Sequence, residues 1–340
     1  MKQIFIAIGI IIAISACFFG WLLFGSATHF ETKEKILYIY PGHTTKYQVM
    51  QQLRDSGFIR NLNVFEMVAE RSGVWKKIAP GRYAIIHGMS IVQLARDLRN
   101  QKQSPVKLTI TKLRTKAQFA ALLDKKFLFE QQEVMQLLQS NAFALQYALD
   151  TNTIMTLVLP NTYELLWTAT PEAVLKKLAD QKTLFWNENR RAKAKALQLS
   201  PEAVYILASI VEEETNQNAE KPIIASVYLN RLRKQMNLGA DPTVKFALQD
   251  FTLKRIRFVH ITRSASNPYN TYKNKGLPPG PICTPSEASI DAVLNAANTD
   301  YLFFCAQPGG TGFHNFASNE KEHFQNAKAY QQWLNRIQIK

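Results

Sequence analysis

Residues 4–25, "IFIAIGIIIAISACFFGWLLFG", place 22 consecutive uncharged side chains at the start of the chain. Few structures accept such a run, because hydrocarbon tolerates these side chains but not a bare backbone. A helix bonds every interior backbone group within itself. At 1.5 Å per residue this one would reach about 33 Å, enough to cross a bilayer core. Residues 1–30 are therefore expected to be a single membrane anchor. Lys2 precedes the run and "HFETKEK" after it mixes both signs, a weak bias towards a cytoplasmic N-terminus with the remaining chain outside. A cleaved signal peptide would have a shorter apolar stretch. "ISAC" resembles a lipoprotein cleavage box ending at Cys17, but cleavage there would leave the apolar "CFFGWLLFG" as the new terminus.

At 340 residues the chain is too long for one core and suits two or three folding units. With 46% hydrophobic and 20% charged residues it has a globular composition. The net charge of +15 is spread over 107–126, 176–195 and 231–275 rather than concentrated. Such a field suits a polyanion or an anionic membrane surface. No nucleic-acid-binding module or interleaving of aromatic and basic residues accompanies it, so nucleic acid is not expected as a partner. Beyond the anchor, Cys283 and Cys305 either pair in an oxidising compartment or stay as buried thiols. With no CxxC, a zinc ribbon or redox site is not expected.

Between residues 31 and 105 the pattern is that of a small α+β module. "ILYIYPG" reads as a strand, "TKYQVMQQLRDSGFI" and "NVFEMVAERSG" as helices ending at Gly57 and Gly73, "GRYAII" as a strand and 91–100 as a helix. The polar, proline-ended "NQKQSP" marks a boundary. Residues 106–340 read as a larger α+β domain, opening on the alternating strand "VKLTITKL". Helical patterns follow in "AQFAALLDKKF" and "EQQEVMQLLQSNAFALQYAL". "LVLPNTYELLW" suggests a strand and a turn at Pro160-Asn161. Helices are expected over 171–191 and 201–215, the second with Ser200 as N-cap and Pro201 at its first position. "PIIASVYLNRLRKQM" is a further helix. The chain then reads as irregular up to the strand "YLFFCAQ" and a last helix, "EKEHFQNAKAYQQWLNRI".

Chemistry concentrates in "YILASIVEEET", where an apolar helix runs directly into Glu212, Glu213 and Glu214. Neighbouring helix positions are rotated by about 100°, so the three carboxylates cannot share one direction. Glu212 continues the face of Ala208 and Ser209, whose small side chains leave room for a ligand. Apolar walls disfavour its charged form, and a raised pKa would suit a general acid. A Glu triplet at a helix end is equally consistent with simple solvation. "DPT", Asp241 to Thr243, reads as a turn opening a helix. "NPYNTYKNKGLPPGP" gathers Tyr269, Asn270, Thr271 and Tyr272 in one loop, either structural or suited to sugar hydroxyls and ring faces. His314 and His323 lack the spacing of a metal site. GxSxG, P-loop and GxGxxG motifs are absent from the sequence.

In order along the chain, "LPNTYELLW", "LASIVEEET", "ASVYLNRL", "ADPTVKFAL", "PYNTYKNKGLPPGPI", "YLFFCAQ" and "HNFASNEKEH" resemble the endolytic murein transglycosylases, the MltG- or YceG-like proteins. The resemblance covers 159–323, and 31–105 resembles their LysM-like subdomain. It implies an N-terminal transmembrane helix, a LysM-like α+β module and a larger α+β catalytic domain. The implied enzyme is a lytic transglycosylase of the inner (plasma) membrane with its catalytic domain outside the cytoplasm. It would cut the β-1,4 bond from N-acetylmuramic acid to N-acetylglucosamine in nascent peptidoglycan strands. Glu212 would be the general acid and base. Asp241, Tyr269, Asn270, Thr271, Tyr272 and His314 would contact the glycan. No metal or cofactor is implied, and a peptidoglycan synthase is admitted as a partner. The chain departs from the family pattern at Gly239 and at Thr284-Pro285-Ser286, where particular sugar contacts stay open. The alternatives are a non-catalytic wall-binding scaffold and a hydrolase with Asp241 or Glu214 as a second carboxylate. A membrane-tethered nucleic-acid binder would rest on charge alone.

Overall fold

The apolar run forms one helix, Lys2–Phe24, with no buried residue. A helix apolar on all sides and packed into no core matches a lipid environment by length and composition. This computed structural model describes residues 2–337. The chain divides into two compact units. The first comprises Met1–Leu108, Lys126–Leu128 and Glu164–Ala169; the second comprises Thr109–Lys125, Phe129–Tyr163 and Thr170–Lys340.

In the first unit, strands Glu34–Ile39 and Gly81–Ile86 pair antiparallel, with Leu37 opposite Tyr83. Their alternation turns Leu37, Ile39, Tyr83 and Ile85 inward. Helices Lys46–Ser56, Leu62–Ser72 and Ile91–Arg99 complete that core with Val49, Leu53, Phe65 and Leu98. Thr45 and Gln48 form a capping box at the first helix. Gly57 and Gly73 end the first two helices in the left-handed region.

The second unit is mostly helical and is built around Pro201–Glu214. Ser200 caps this helix and Pro201 opens it. All eight residues from Val204 to Val211 are buried, which marks a central core helix. Helices Lys221–Arg233, Asp241–Leu248 and Glu287–Leu294 pack around it. Ser209, at its centre, accepts the Ile282 amide at 3.0 Å, which fixes the loop after the proline-rich turn against the helix. The helix is partly exposed only at its two ends, Pro201 to Ala203 and, past Val211, the three Glu residues. Strands Phe303–Ala306 and His314–Ala317 form an antiparallel hairpin, and Glu320–Arg336 is the last helix.

Several elements differ from expectation. The helix expected over 171–191 is two, Pro171–Phe185 and Glu188–Ala196. Trp186 is buried between them, and Asn187 caps the second by accepting the Arg190 amide. The apolar "LVL" belongs to a buried 3-10 turn, Ile154–Leu157, and the segment after it; the strand Asn161–Leu165 follows Pro160 instead and pairs with Val106–Ile110. The stretch expected to be irregular contains helices Phe258–Arg263 and Glu287–Leu294. Cys283 and Cys305 are both free thiols.

Candidate functional site

Glu212 emerges from the buried helix with its side chain 16% exposed. Its Oε2 accepts four hydrogen bonds. Ser286 donates its hydroxyl at 2.6 Å and its backbone N–H at 3.3 Å. Ser289 donates its hydroxyl at 2.5 Å, and Lys221 its ammonium at 3.2 Å. No described residue hydrogen-bonds Oε1. Burial raises the pKa of this carboxyl, but the two serine hydroxyls and the Lys221 charge outweigh it and hold the group below its ordinary range. This corrects the expectation that apolar walls keep the resting Glu212 protonated. The walls are present, but three side chains stabilise the anion.

The next two carboxylates face other walls, as the helical rotation requires. Glu213 is clasped by Arg114, whose Nε and Nη2 donate to its two oxygens at 3.0 Å each, with Lys112 at 3.4 Å. Such a forked pair orients segment 112–114 against the helix. Glu214 accepts a 2.5 Å hydrogen bond from Tyr228. Desolvation nonetheless pushes its carboxyl up to about 7, and the negative charge of Asp241 adds to the rise.

The other residues singled out by sequence do not assemble around Glu212. Asp241 accepts from the Tyr272 hydroxyl at 2.6 Å and belongs with Glu214 and Tyr228; burial raises its carboxyl against that hydrogen bond. Asn270 and Thr271 are buried. Asn270 donates to the Ile261 carbonyl and to Ser264, while the Thr271 hydroxyl accepts the Ala240 amide. In this conformation both hold the loop together. Tyr269 packs against Phe246 at 4.6 Å between ring centroids and lines a pocket of about 270 Å³ with Arg114, Asn152, Gln249 and Cys283. His314 sits on the hairpin and bonds Glu220 through both its amide and Nδ1. No hydrogen bond joins any of these residues to Glu212 among the described residues.

Of the two departures from the family pattern, Gly239 has a φ of +59°, and a Cβ there would lie 3.2 Å from Arg231 Nη1. Ser286, at the other, touches Glu212 directly. Lys221 and Ser289 were not singled out by sequence, and Ser286 was noted only as part of that departure. The available signal was Ser286 three residues before Ser289, an N-cap spacing, but nothing local links that cap to position 212.

A sequence model of the YceG-like family matches residues 37–329. An endolytic murein transglycosylase of Bacillus subtilis (strain 168) is 37% identical over 152 residues, which are 45% of this chain and 41% of that protein. A protein of the same name from Streptococcus pneumoniae serotype 2 (strain D39 / NCTC 7466) is 31% identical over 134 residues, 39% of this chain and 24% of its own length. The aligned part thus spans less than half of each relative. The crystal structure of a YceG-like protein from Listeria monocytogenes has the same fold, with a TM-score of 0.56, 24% identity, and coverage of 86% of this chain and 98% of that one.

Proposed function

The chain belongs to the YceG-like family, and on that premise we propose that it is an endolytic peptidoglycan lytic transglycosylase with Glu212 as its acid and base. The relatives named endolytic murein transglycosylases support the reaction class. The observation that carries the residue assignment is the carboxyl at the end of a buried helix, anchored by Oε2 and open at Oε1.

The proposed reaction cuts the β-1,4 bond between N-acetylmuramic acid and N-acetylglucosamine. Glu212 gives its proton to the glycosidic oxygen as the bond from that oxygen to the muramyl anomeric carbon breaks. The muramyl 6-hydroxyl attacks the same carbon and returns its proton to Glu212, leaving a 1,6-anhydro ring. One carboxyl suffices because the nucleophile is already attached to the sugar, and positioning replaces activation of an external water. A strand covering Oε1 would exclude water and favour the neutral acid that the first step needs.

The same proposal assigns residues 31–105 as a LysM-like glycan-holding module and 106–340 as the catalytic domain. The first helix is a single plasma-membrane span with the globular part outside the cytoplasm, and peptidoglycan synthases are admitted as partners. Asp241, Tyr269 and Tyr272 remain candidates for glycan contact, and His314 for the rim.

The test is digestion of purified glycan strands by the full chain and by Glu212→Gln, read by mass spectrometry. Product ends one water lighter than reducing ends, absent with Glu212→Gln, are expected. Mainly reducing ends would point to a hydrolase with a second carboxyl, such as Glu214 or Asp241. Full activity in Glu212→Gln, or strand binding without cleavage by the unaltered chain, would overturn the proposal.

A further inference from the structure

The partners of Glu212 are distributed unevenly. Four donor groups, from Ser286, Ser289 and Lys221, converge on Oε2, and none of the described residues bonds Oε1. A carboxylate oxygen offers two lone pairs, so four donors leave Oε2 no acceptor direction for a further proton. A proton added to this carboxyl therefore belongs on Oε1.

The donors are themselves held. Ser286 caps helix Glu287–Leu294, its hydroxyl oxygen accepting the Ser289 amide at 3.3 Å. Its hydroxyl hydrogen has Glu212 Oε2 at 2.6 Å as a closer acceptor than Ser289 Oγ at 3.3 Å, and a donor that also accepts is polarised towards its own acceptor. Ser289 is fully buried and Lys221 nearly so. Lys221 Nζ also reaches Ser286 Oγ at 3.5 Å. The start of one helix and the start of another thus meet the end of a third at a single oxygen.

We propose that Ser286, Ser289 and Lys221 are positioning residues that clamp Glu212 by Oε2 and fix Oε1 as the atom exchanging the proton with the glycan. This rests on the reading of Glu212 as acid and base. In the forward step the proton leaves Oε1 for the glycosidic oxygen as the bond to the anomeric carbon breaks. The proton of the 6-hydroxyl then returns to Oε1 as the new carbon–oxygen bond forms. The clamp hydroxyls and the ammonium keep their own protons throughout.

The test uses the full chain in detergent with purified glycan strands, measuring kcat, KM and the pH profile of kcat. The variants are Ser289→Ala, Ser286→Gly, Ser286→Thr and Glu212→Gln. Glycine still serves as an N-cap, so Ser286→Gly removes the donor with little loss of helix stability. Ser289→Ala keeps the backbone amide that Ser286 caps and carries the test independently if Ser286→Gly folds poorly. Each single loss should lower kcat by about 10- to 100-fold with KM within about twofold, the signature of a misplaced reacting group. It should also move the alkaline limb of the profile upward, because fewer donors stabilise the anion. Ser286→Thr, which keeps hydroxyl and cap, should recover most of kcat. Folded Ser289→Ala and Ser286→Gly with unaltered kcat and pH profile, alongside an inactive Glu212→Gln, would overturn the clamp and leave the proposed function standing. An active Glu212→Gln would overturn both.

Discussion

Glu212, Glu213 and Glu214 are adjacent in sequence but occupy three different electrostatic settings, because each step along a helix turns the side chain about 100° towards another wall. Glu212 meets hydroxyls and an ammonium, and its carboxyl is held low. As the acid, its protonated fraction shrinks about tenfold per pH unit above its pKa. Turnover should therefore rise as pH falls from 7.5 towards 5.5, and a flat profile over that range would contradict the role. Glu213 meets Arg114 in a partly buried fork. Glu213→Gln should leave cleavage within a few-fold of the unaltered chain but destabilise it by about 1–2 kcal/mol, between exposed and buried pairs. Denaturant unfolding and strand digestion on one sample separate the two effects. Glu214 meets Tyr228, and its carboxyl is pushed up to about 7 from the ordinary glutamate value of about 4.3. A folded state that holds its proton more tightly than the unfolded one loses stability as pH rises between those values. Glu214→Gln should flatten that part of the stability curve, and unfolding midpoints at pH 5, 6 and 7 would show it. The sequence made Glu212 legible through the small face beneath it. It did not reveal the serines, which lie more than seventy residues away.

At the scale of elements, longer helices with clear caps were legible, and a short helix built largely of small residues was not. Lys46–Ser56 and Leu62–Ser72 announce themselves with Thr45 and Asn61 at their starts and Gly57 and Gly73 at their ends. Glu287–Leu294 buries five of its eight residues, Ser289 and Ala292 among them. Small side chains spread round a short helix give little periodicity to read. Yet this helix and its cap supply three of the four donors to Glu212. The proline-rich turn before it depends on Gly280, where a Cβ would come within 2.2 Å of the Asn152 carbonyl oxygen and 2.8 Å of the Tyr269 hydroxyl. The first neighbour is backbone and cannot swing aside. Gly280→Ala should cost about 1–3 kcal/mol of stability, as overpacking does. It should also disturb the pocket lined by Tyr269, and a thermal midpoint equal to that of the unaltered chain would argue against so close an approach.

For the whole molecule, the first helix and the division into two units set what can be removed without consequence. Lys2–Phe24 has no buried residue, although its end, where Leu22 and Leu23 are partly covered, contacts Ile91–Arg99, so deleting residues 2–25 should release the protein from the membrane fraction with only a small change in its unfolding midpoint. Protease added outside spheroplasts should digest the globular part, and protection there would reverse the proposed orientation. A chain reduced to 106–340 keeps Trp167 but loses Tyr38 and Tyr40, whose rings lie at 4.9 and 5.0 Å from it. It should show red-shifted tryptophan emission and weaker retention on glycan strands; equal retention would remove the glycan-holding role from the first module. The sequence by itself determined the apolar span, the mixed α+β character and the helix that ends in three carboxylates, because hydrophobic runs, periodicity and caps are local. Only the tertiary structure decided which oxygen of Glu212 is held, that Asp241 and Tyr272 gather at Glu214, and that Asn270 and Thr271 are spent inside their loop. Those outcomes depend on groups distant in sequence meeting at one point, and no local pattern encodes such a meeting.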